Sequence, residues 1–174
     1  MKVLLERIYA DDKLYAWAVN LLAASFPAVE RRDDQLQRQV LDHPDYRLCA
    51  IVQNSAPVGV VGYWETDKFI YFENFCVAPD MRSRGIGSAT LQLLTSIGKL
   101  FILEIEPPVD ELTRRRKAFY ERNGMVANNY DHIQPHFRAT DCDLHLVVMS
   151  YGRMITIEEY ADFRKYLDEN IDVR

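Results

Sequence analysis

Cysteine is scarce in this chain: Cys49, Cys76 and Cys142 are the only three in 174 residues. An odd, widely spaced set argues against a disulfide framework and for reduced thiols, so a cytoplasmic setting is expected. Cys142 and His145, even with His132 and His136 upstream, match no zinc signature, and no metal site is expected. Basic residues are outnumbered, with 21 Lys and Arg against 26 Asp and Glu, which gives a formal net charge of -5. That balance provides no general pull toward nucleic acid or an anionic membrane, and neither is expected as a partner. No stretch approaches the roughly 18 apolar residues of a membrane span. Met1 to Tyr9 carries Glu6 and Arg7 inside its apolar run, unlike a signal peptide. Repeats, low-complexity tracts and linkers are missing too. One domain over residues 1–174 is therefore expected, long enough to bury a substantial core.

What is present reads as alternating strands and helices. Val3 to Tyr9 predicts a strand, and Asp11 and Asp12 are candidate caps for a helix with Leu14, Trp17, Ala18, Leu21 and Leu22 on its apolar face. A second helix is expected over Asp34 to Leu41, stopped by His43-Pro44. Tyr46 to Val52 and Val58 to Trp64 flank the turn residues Asn54 to Pro57 and predict a hairpin. Phe69 to Val77 is a third apolar run. From Gly85 the period changes to helical, through Ile86, Ala89, Leu93, Leu94 and Ile97, until Gly98. A strand over Leu100 to Ile105, a helix over Glu111 to Arg122 and a strand over Leu144 to Met149 follow. Thr156 and Glu159 form a capping box for a last helix reaching about Asn170. Hairpin strands first and strand–helix units later predict an α/β (mixed α+β) fold.

The segment Phe75 to Ser88 carries the strongest chemical signal. A strand runs into a short loop that opens a helix, whose first amides have no partner within the helix and point outward as donors. The helix dipole, the glycines and the charges of Arg82 and Arg84 complete a pyrophosphate cradle. A P-loop needs Gly-Lys-Ser/Thr, whereas Ser88 follows Gly87 directly. A dinucleotide fingerprint would need a small residue where Thr90 stands; Glu104 or Glu106 lies near the distance of its ribose-binding acid, so an oxidoreductase stays open on these residues.

Arg82-Ser83-Arg84-Gly85-Ile86-Gly87, with Val77-x-Pro79 before it, resembles the R/Q-x-x-G-x-G/A signature of the GNAT family of N-acetyltransferases. Ala118-Phe119-Tyr120-Glu121-Arg122-Asn123-Gly124-Met125 is similar to that family's A-x-x-F-Y-x-x-x-G-F helix ending. Thr113 departs from the family's frequent asparagine, and Arg116 from its usual small residue. The resemblance implies the acyl-CoA N-acyltransferase fold, a central mixed sheet of about six or seven strands with helices on both faces. It implies acetyl-CoA as cosubstrate, held where two parallel strands splay, here Phe69 to Val77 and Leu100 to Ile105. Phe75 and Val77 would meet the pantetheine arm, and Arg82, Ser83, Arg84, Gly85, Ile86, Gly87 and Ser88 the pyrophosphate. Tyr120 stands where the family often places the acid that protonates the departing thiolate.

A primary amine is almost wholly protonated at neutral pH, so a base must take its proton before direct attack on the thioester. Glu73 and Glu104 are the candidates, with Glu106 beside them; a glutamate inside an apolar strand is wet, paired or functional. The basic run Arg114 to Lys117 points around most of its helix and reads as a solvated face. By the same resemblance, Phe26 to Arg32 and Tyr130 to Asp141, with His132 and His136, shape the acceptor pocket. The expected activity is acetyl transfer to a small-molecule or peptide amine by a monomer or homodimer. A noncatalytic acyl-CoA-binding sensor is the alternative.

Overall fold

The computed structural model describes residues 2–173. Seven β-strands and five α-helices alternate along them in a mixed α/β fold. The chain forms two compact units, Met1–Phe101 and Ile102–Arg174, and each is described by itself.

The first unit contains β1 (Leu4–Arg7), α1 (Tyr15–Ser25), α2 (Asp34–Val40), β2 (Tyr46–Gln53), β3 (Ala56–Glu65), β4 (Phe69–Val77) and α3 (Ile86–Thr95). β1, β2, β3 and β4 pair in that order, every pair antiparallel. The expected hairpin is present, and its turn residues Asn54 and Ser55 have φ of 50° and 61°. Two left-handed residues make the mirror-image turn whose twist suits flanking strands. α1 starts later than the Asp11-Asp12 pair predicts. Asp12 does not cap it; its carboxylate accepts from the Tyr9 amide at 2.6 Å and closes a turn ahead of the helix. The buried face of α1 is Tyr15, Ala18 and Leu22, packed on β3 and β4. Tyr15 takes the inward position expected of Leu14 because its hydroxyl can donate to the Asp34 carboxylate, 3.0 Å away.

β3 and β4 fall out of step midway. Gly62 pairs with Asn74 but Tyr63 pairs with Phe72, so Glu73 is the extra residue of a β-bulge. Beyond it, Asn74 and Cys76 are buried while Phe75 and Val77 are half-exposed. Gly62 is required here by space: a Cβ would stand 2.7 Å from the Tyr46 hydroxyl.

The second unit is built from β5 (Leu100–Ile105, whose first two residues precede the boundary), α4 (Glu111–Arg122), β6 (Met125–Ala127), β7 (Val147–Tyr151) and α5 (Ile157–Asn170). β7 lies between β5 and β6, antiparallel to both. The predicted bounds of β4, β5 and α4 are met, as is the end of α5. Both late helices carry capping boxes, Thr156 with Glu159 as expected and Asp110 with Thr113. The last strand differs: it covers Val147–Tyr151 rather than Leu144 to Met149. Residues 144–146 are drawn away by the preceding segment, with Gln134 N donating to Leu144 O at 2.9 Å and Leu146 N to His132 O at 3.0 Å. Buried Asn128 ties this region down. Its amide nitrogen donates to Ser150 Oγ at 2.9 Å and its oxygen accepts from Ile155 N at 2.8 Å.

Two glycines separate backbone strain from steric crowding. Gly124 has φ 86° and an added Cβ would lie 2.8 Å from the Tyr151 ring; Gly98 has φ 83° with nothing within 4 Å. Gly98→Ala should cost only the left-handed backbone penalty of about 1–2 kcal/mol. Gly124→Ala should cost more and lower Tm further, since at this chain length 1 kcal/mol moves Tm by about 2–4 °C. Thermal unfolding of the two variants side by side checks the order; equal losses would show that Tyr151 gives way freely.

Candidate active site

In the first unit β4 delivers the chain into a short 3-10 turn, Pro79–Met81, and then into α3. Gly85 is the N-cap of α3 with φ 76°, and no side chain caps the helix. Its first intrahelical bond is Ala89 N to Gly85 O at 3.0 Å. The amides of Ile86, Gly87 and Ser88 precede that bond, and Ser83, Arg84 and Gly85 in front of them are exposed. Ser83 is also left-handed, at φ 61°. The arginines brace the loop from outside. Arg82 Nε donates to Val77 O at 3.2 Å, and Arg84 Nη2 to Asp80 O at 3.0 Å. All seven residues from Arg82 to Ser88 thus share one loop and helix start, rich in outward N–H donors and positive charge. Such an arrangement binds an anion.

Glu73 sits at the bulge of β4 with its side chain only 2% exposed. Arg32, also buried, grips it with both guanidinium nitrogens: Nη1 on Oε1, and Nη2 on Oε2 at 3.0 Å. Trp64 Nε1 donates to Oε2 at 2.7 Å. The guanidinium lies 5.5 Å from the Tyr46 ring centre and 5.6 Å from that of Trp64. Burial alone would push the Arg32 guanidinium down, but the Glu73 carboxylate, with Tyr46 and Tyr71, together holds the group above its ordinary value. Glu73 is therefore a charge locked in a cage of donors and aromatic rings. Arg32 and Trp64 were not singled out in the sequence, because nothing local links residues 41 and nine positions from Glu73 to it.

In the second unit Tyr120 is on the last turn of α4, 9% exposed. Its hydroxyl makes no hydrogen bond among the described residues. Burial pushes its phenol up to about 12, with Arg116 opposing. The departures from the family pattern are both occupied. Thr113 closes the α4 capping box with Asp110, and Arg116 pairs with Glu106. The rest of the basic run is paired as well: Arg114 with Val109 O, Arg115 with Glu111 and Lys117 with Glu121.

Glu104, on β5, is 6% exposed and meets His132 Nε2. The His132 side chain is fully buried, and its Nδ1 lies 3.0 Å from the Tyr160 hydroxyl on α5. That hydroxyl also reaches Asp131 O at 3.2 Å, and the Tyr160 ring stacks on Tyr130 with centres 4.0 Å apart. Burial pushes the Tyr160 phenol above its usual value, against the opposing charge of Arg164. His136 is buried too, with Nε2 3.0 Å from Asp143 Oδ1 and Nδ1 unpartnered. Neither histidine is a surface loop residue. Tyr160 escaped sequence reading, since a tyrosine on an amphipathic helix carries no local sign of a long-range partner.

The caged carboxylate makes a direct prediction. Glu73→Gln removes the carboxylate that both guanidinium nitrogens of buried Arg32 hold, which should cost about 3–5 kcal/mol. Urea unfolding of the variant measures it, and a loss below about 1 kcal/mol would mean the pair is not the anchor the geometry suggests.

Comparison with known proteins places these features. The sequence profile described as the acetyltransferase (GNAT) family matches residues 11–125. A solved structure assigned to the GNAT acetyltransferases, from Bacteroides thetaiotaomicron, is 29% identical over 100% of both chains, with a TM-score of 0.89. The ribosomal-protein-S18-alanine N-acetyltransferase of Escherichia coli shares the fold at 17% identity, covering 90% of this chain and 97% of its own, with a TM-score of 0.60. A GNAT acetyltransferase from Elizabethkingia anophelis with acetyl-CoA bound does so at 13% identity, covering 86% and 97%, with a TM-score of 0.56. None of the curated proteins compared matches the chain. Among the described residues, no helix is long and apolar enough to cross a membrane. The chain belongs to the GNAT acetyltransferase family and is an acyltransferase with acetyl-CoA as its cosubstrate.

Proposed function

We propose that the enzyme transfers the acetyl group to the nitrogen of a primary amine, on a small molecule or peptide, by direct attack within a ternary complex. Acetyl-CoA supplies the activated thioester; the chain's own residues hold the cosubstrate and move two protons. The observation that carries the reading is Tyr120, a buried tyrosine whose hydroxyl has no hydrogen-bond partner among the described residues and whose phenol burial pushes up to about 12. A departing thiolate needs a proton as it leaves, and a phenol kept neutral and unengaged can give one.

The residues of the α3 cradle fit a pyrophosphate. The uncapped amides of Ile86, Gly87 and Ser88 and the exposed Arg82 and Arg84 supply donors and charge on one loop. Phe75 and Val77, half-exposed at the end of β4, are the proposed contacts for the pantetheine arm. On the acceptor side Glu104 is the stronger base candidate. Glu73 already accepts from Arg32 and Trp64, and giving up that cage to take a proton would strand a buried arginine. Glu104 is held by a histidine, a partner that can itself exchange protons.

Acetyl transfer to diamines, aminoglycosides, amino acids and alanine-terminated peptides, followed by release of free CoA, tests the reading. Turnover with any of these amines supports it, and thioester hydrolysis without amine acetylation overturns it. Tyr120→Phe keeps the ring and removes the donor. Its kcat should fall about 10²-fold or more with acetyl-CoA affinity nearly unchanged. Raising a tyrosine pKa preserves the protonated form, so in the parent enzyme the acid is lost only as pH climbs toward about 12. A wild-type rate that already declines near pH 10 through tyrosine ionisation would contradict this assignment. For the cradle, acetyl-CoA should raise Tm, because it binds only the native state. Gly87→Glu should abolish that shift by placing bulk and negative charge against the phosphates. Arg82→Ala should weaken it, by about 1.5–3 kcal/mol for a charge-assisted bond.

A further inference from the structure

Arg116 and Tyr120 stand four residues apart on α4, so they share one face of the helix and lie one turn from each other. Arg116 is the residue at which this chain departs from the small side chain of the family pattern. Its side chain is 37% exposed, and its guanidinium is held by Glu106, the residue that follows β5. Its charge acts on the Tyr120 phenol, opposing the burial that pushes that group up to about 12. The other charges of the helix are engaged elsewhere. Arg114 donates to Val109 O, Arg115 pairs with Glu111 and Lys117 with Glu121, while Arg122 is exposed on the last turn. β6, on which α4 packs, is Met125, Val126 and Ala127 and brings no charge. Arg116 is thus the cation of the basic run that reaches Tyr120.

We propose that Arg116 supplies the positive charge that stabilises the CoA sulfur as it departs, with Glu106 as the positioning residue that holds the guanidinium on the Tyr120 face of α4. The inference rests on the reading that places the departing sulfur at the Tyr120 hydroxyl. The step balances. The C–S bond of the tetrahedral adduct breaks, its electron pair stays on sulfur, and a lone pair of the oxyanion re-forms the carbonyl of the new amide. The Tyr120 O–H bond breaks and an S–H bond forms, leaving a phenolate that regains its proton from water. Arg116 gives up no proton at any stage, since a guanidinium stays charged throughout the working range. It acts through its field alone. That field favours negative charge on the sulfur while the C–S bond breaks, and on the phenol oxygen once the proton has moved.

Opposite unit charges about 7 Å apart, roughly the span of one helical turn, interact strongly enough near a protein surface to move an ionisation by more than tenfold. Solvent around the half-exposed guanidinium and the counter-charge of Glu106 reduce that, so an effect of about tenfold on the sulfur is expected. A partly exposed ion pair with no further role is the plain alternative. The two accounts separate because the pair can be broken from either side. Arg116→Met removes the cation, whereas Glu106→Gln removes the anion and leaves the cation in place. A structural pair loses the same contact in both variants; a charge acting on sulfur changes in opposite senses.

The readout is the thiol of CoA itself in its complex with the full chain, followed by thiolate ultraviolet absorbance as pH is raised. The same protein with desulfo-CoA is the blank, which cancels the chain's own thiols and phenols. In Arg116→Met the bound thiol should ionise about 1 pH unit higher than in the parent complex, equal to a tenfold loss of thiolate at a given pH. In Glu106→Gln it should ionise lower than in the parent, and in Arg116→Lys between the parent and Arg116→Met. Shifts of the same sign in Arg116→Met and Glu106→Gln, or no shift in either, overturn the proposal. Should Arg116→Met not fold, Arg116→Gln takes its place in the comparison. With the best acceptor from the amine panel, Arg116→Met should lower kcat about tenfold and leave the acetyl-CoA KM nearly unchanged. A raised acetyl-CoA KM with kcat retained would make Arg116 a binding group instead, and the proposal fails. Tyr120→Phe tells the two readings apart. Near-parent kcat in that variant removes the tyrosine acid, and the opposed thiol shifts of Arg116→Met and Glu106→Gln survive it; a strong Tyr120 dependence without those shifts is the reverse.

Discussion

A carboxylate buried inside an apolar strand must be compensated where it stands, as Glu73 and Glu104 are. Desolvating an unpaired charge costs several kcal/mol, so each buried glutamate dictates what gathers around it. Glu73 draws in Arg32 from 41 residues upstream and the Trp64 indole, and with them the ring of Tyr46. Tyr46 in turn demands that residue 62 have no side chain. The bulge at Glu73 is the backbone counterpart of the same arrangement, since it turns the glutamate out of the regular ladder. Glu104 draws in His132 and, through it, Tyr160 on the last helix. Much of the irregular segment before β7 is positioned by that requirement, and so is the late start of the strand.

The two solutions differ in kind. A guanidinium keeps its charge at any working pH and fixes its partner as an anion. An imidazole does not; it can pass a proton on while its hydrogen bonds persist. Glu73 therefore reads as architecture within the proposed acyl-binding strand, and Glu104 as a carboxylate held by a histidine. Strand position alone treats the two alike. Only the identity of the partner separates them.

That is also the boundary of what the sequence discloses. β4, β5, α4 and the final capping box are set by local rules, such as apolar runs between breakers and a threonine with glutamate three residues on, so their bounds are legible. The cradle is legible for the same reason, because its arginines, glycines and helix start are contiguous. The departures are of two kinds, local competition and longer-range partners. Asp12 had a competing use in a turn, Leu144 to Leu146 had a competing partner in residues 132–134, and Thr113 and Arg116 had partners that no family pattern records. Arg32, Trp64 and Tyr160 carry no local mark of their roles, since each becomes significant only when folding brings it to a glutamate.

Acetyl transfer to an amine asks for two proton movements of opposite sense, and the same pH must serve both. The group that gives a proton to the thiolate must hold it until the bond breaks; the group that receives the amine's proton must be able to let it go again. Tyr120 suits the first, proposed role by isolation, its phenol desolvated and without a hydrogen-bond partner among the described residues. The Tyr160 hydroxyl is by contrast connected, with His132 Nδ1 at 3.0 Å and Asp131 O at 3.2 Å. Two tyrosines of identical intrinsic chemistry thus stand in opposite hydrogen-bonding environments. An environment that partnered Tyr120, or one that isolated Tyr160, would remove the distinction while leaving every side chain in place.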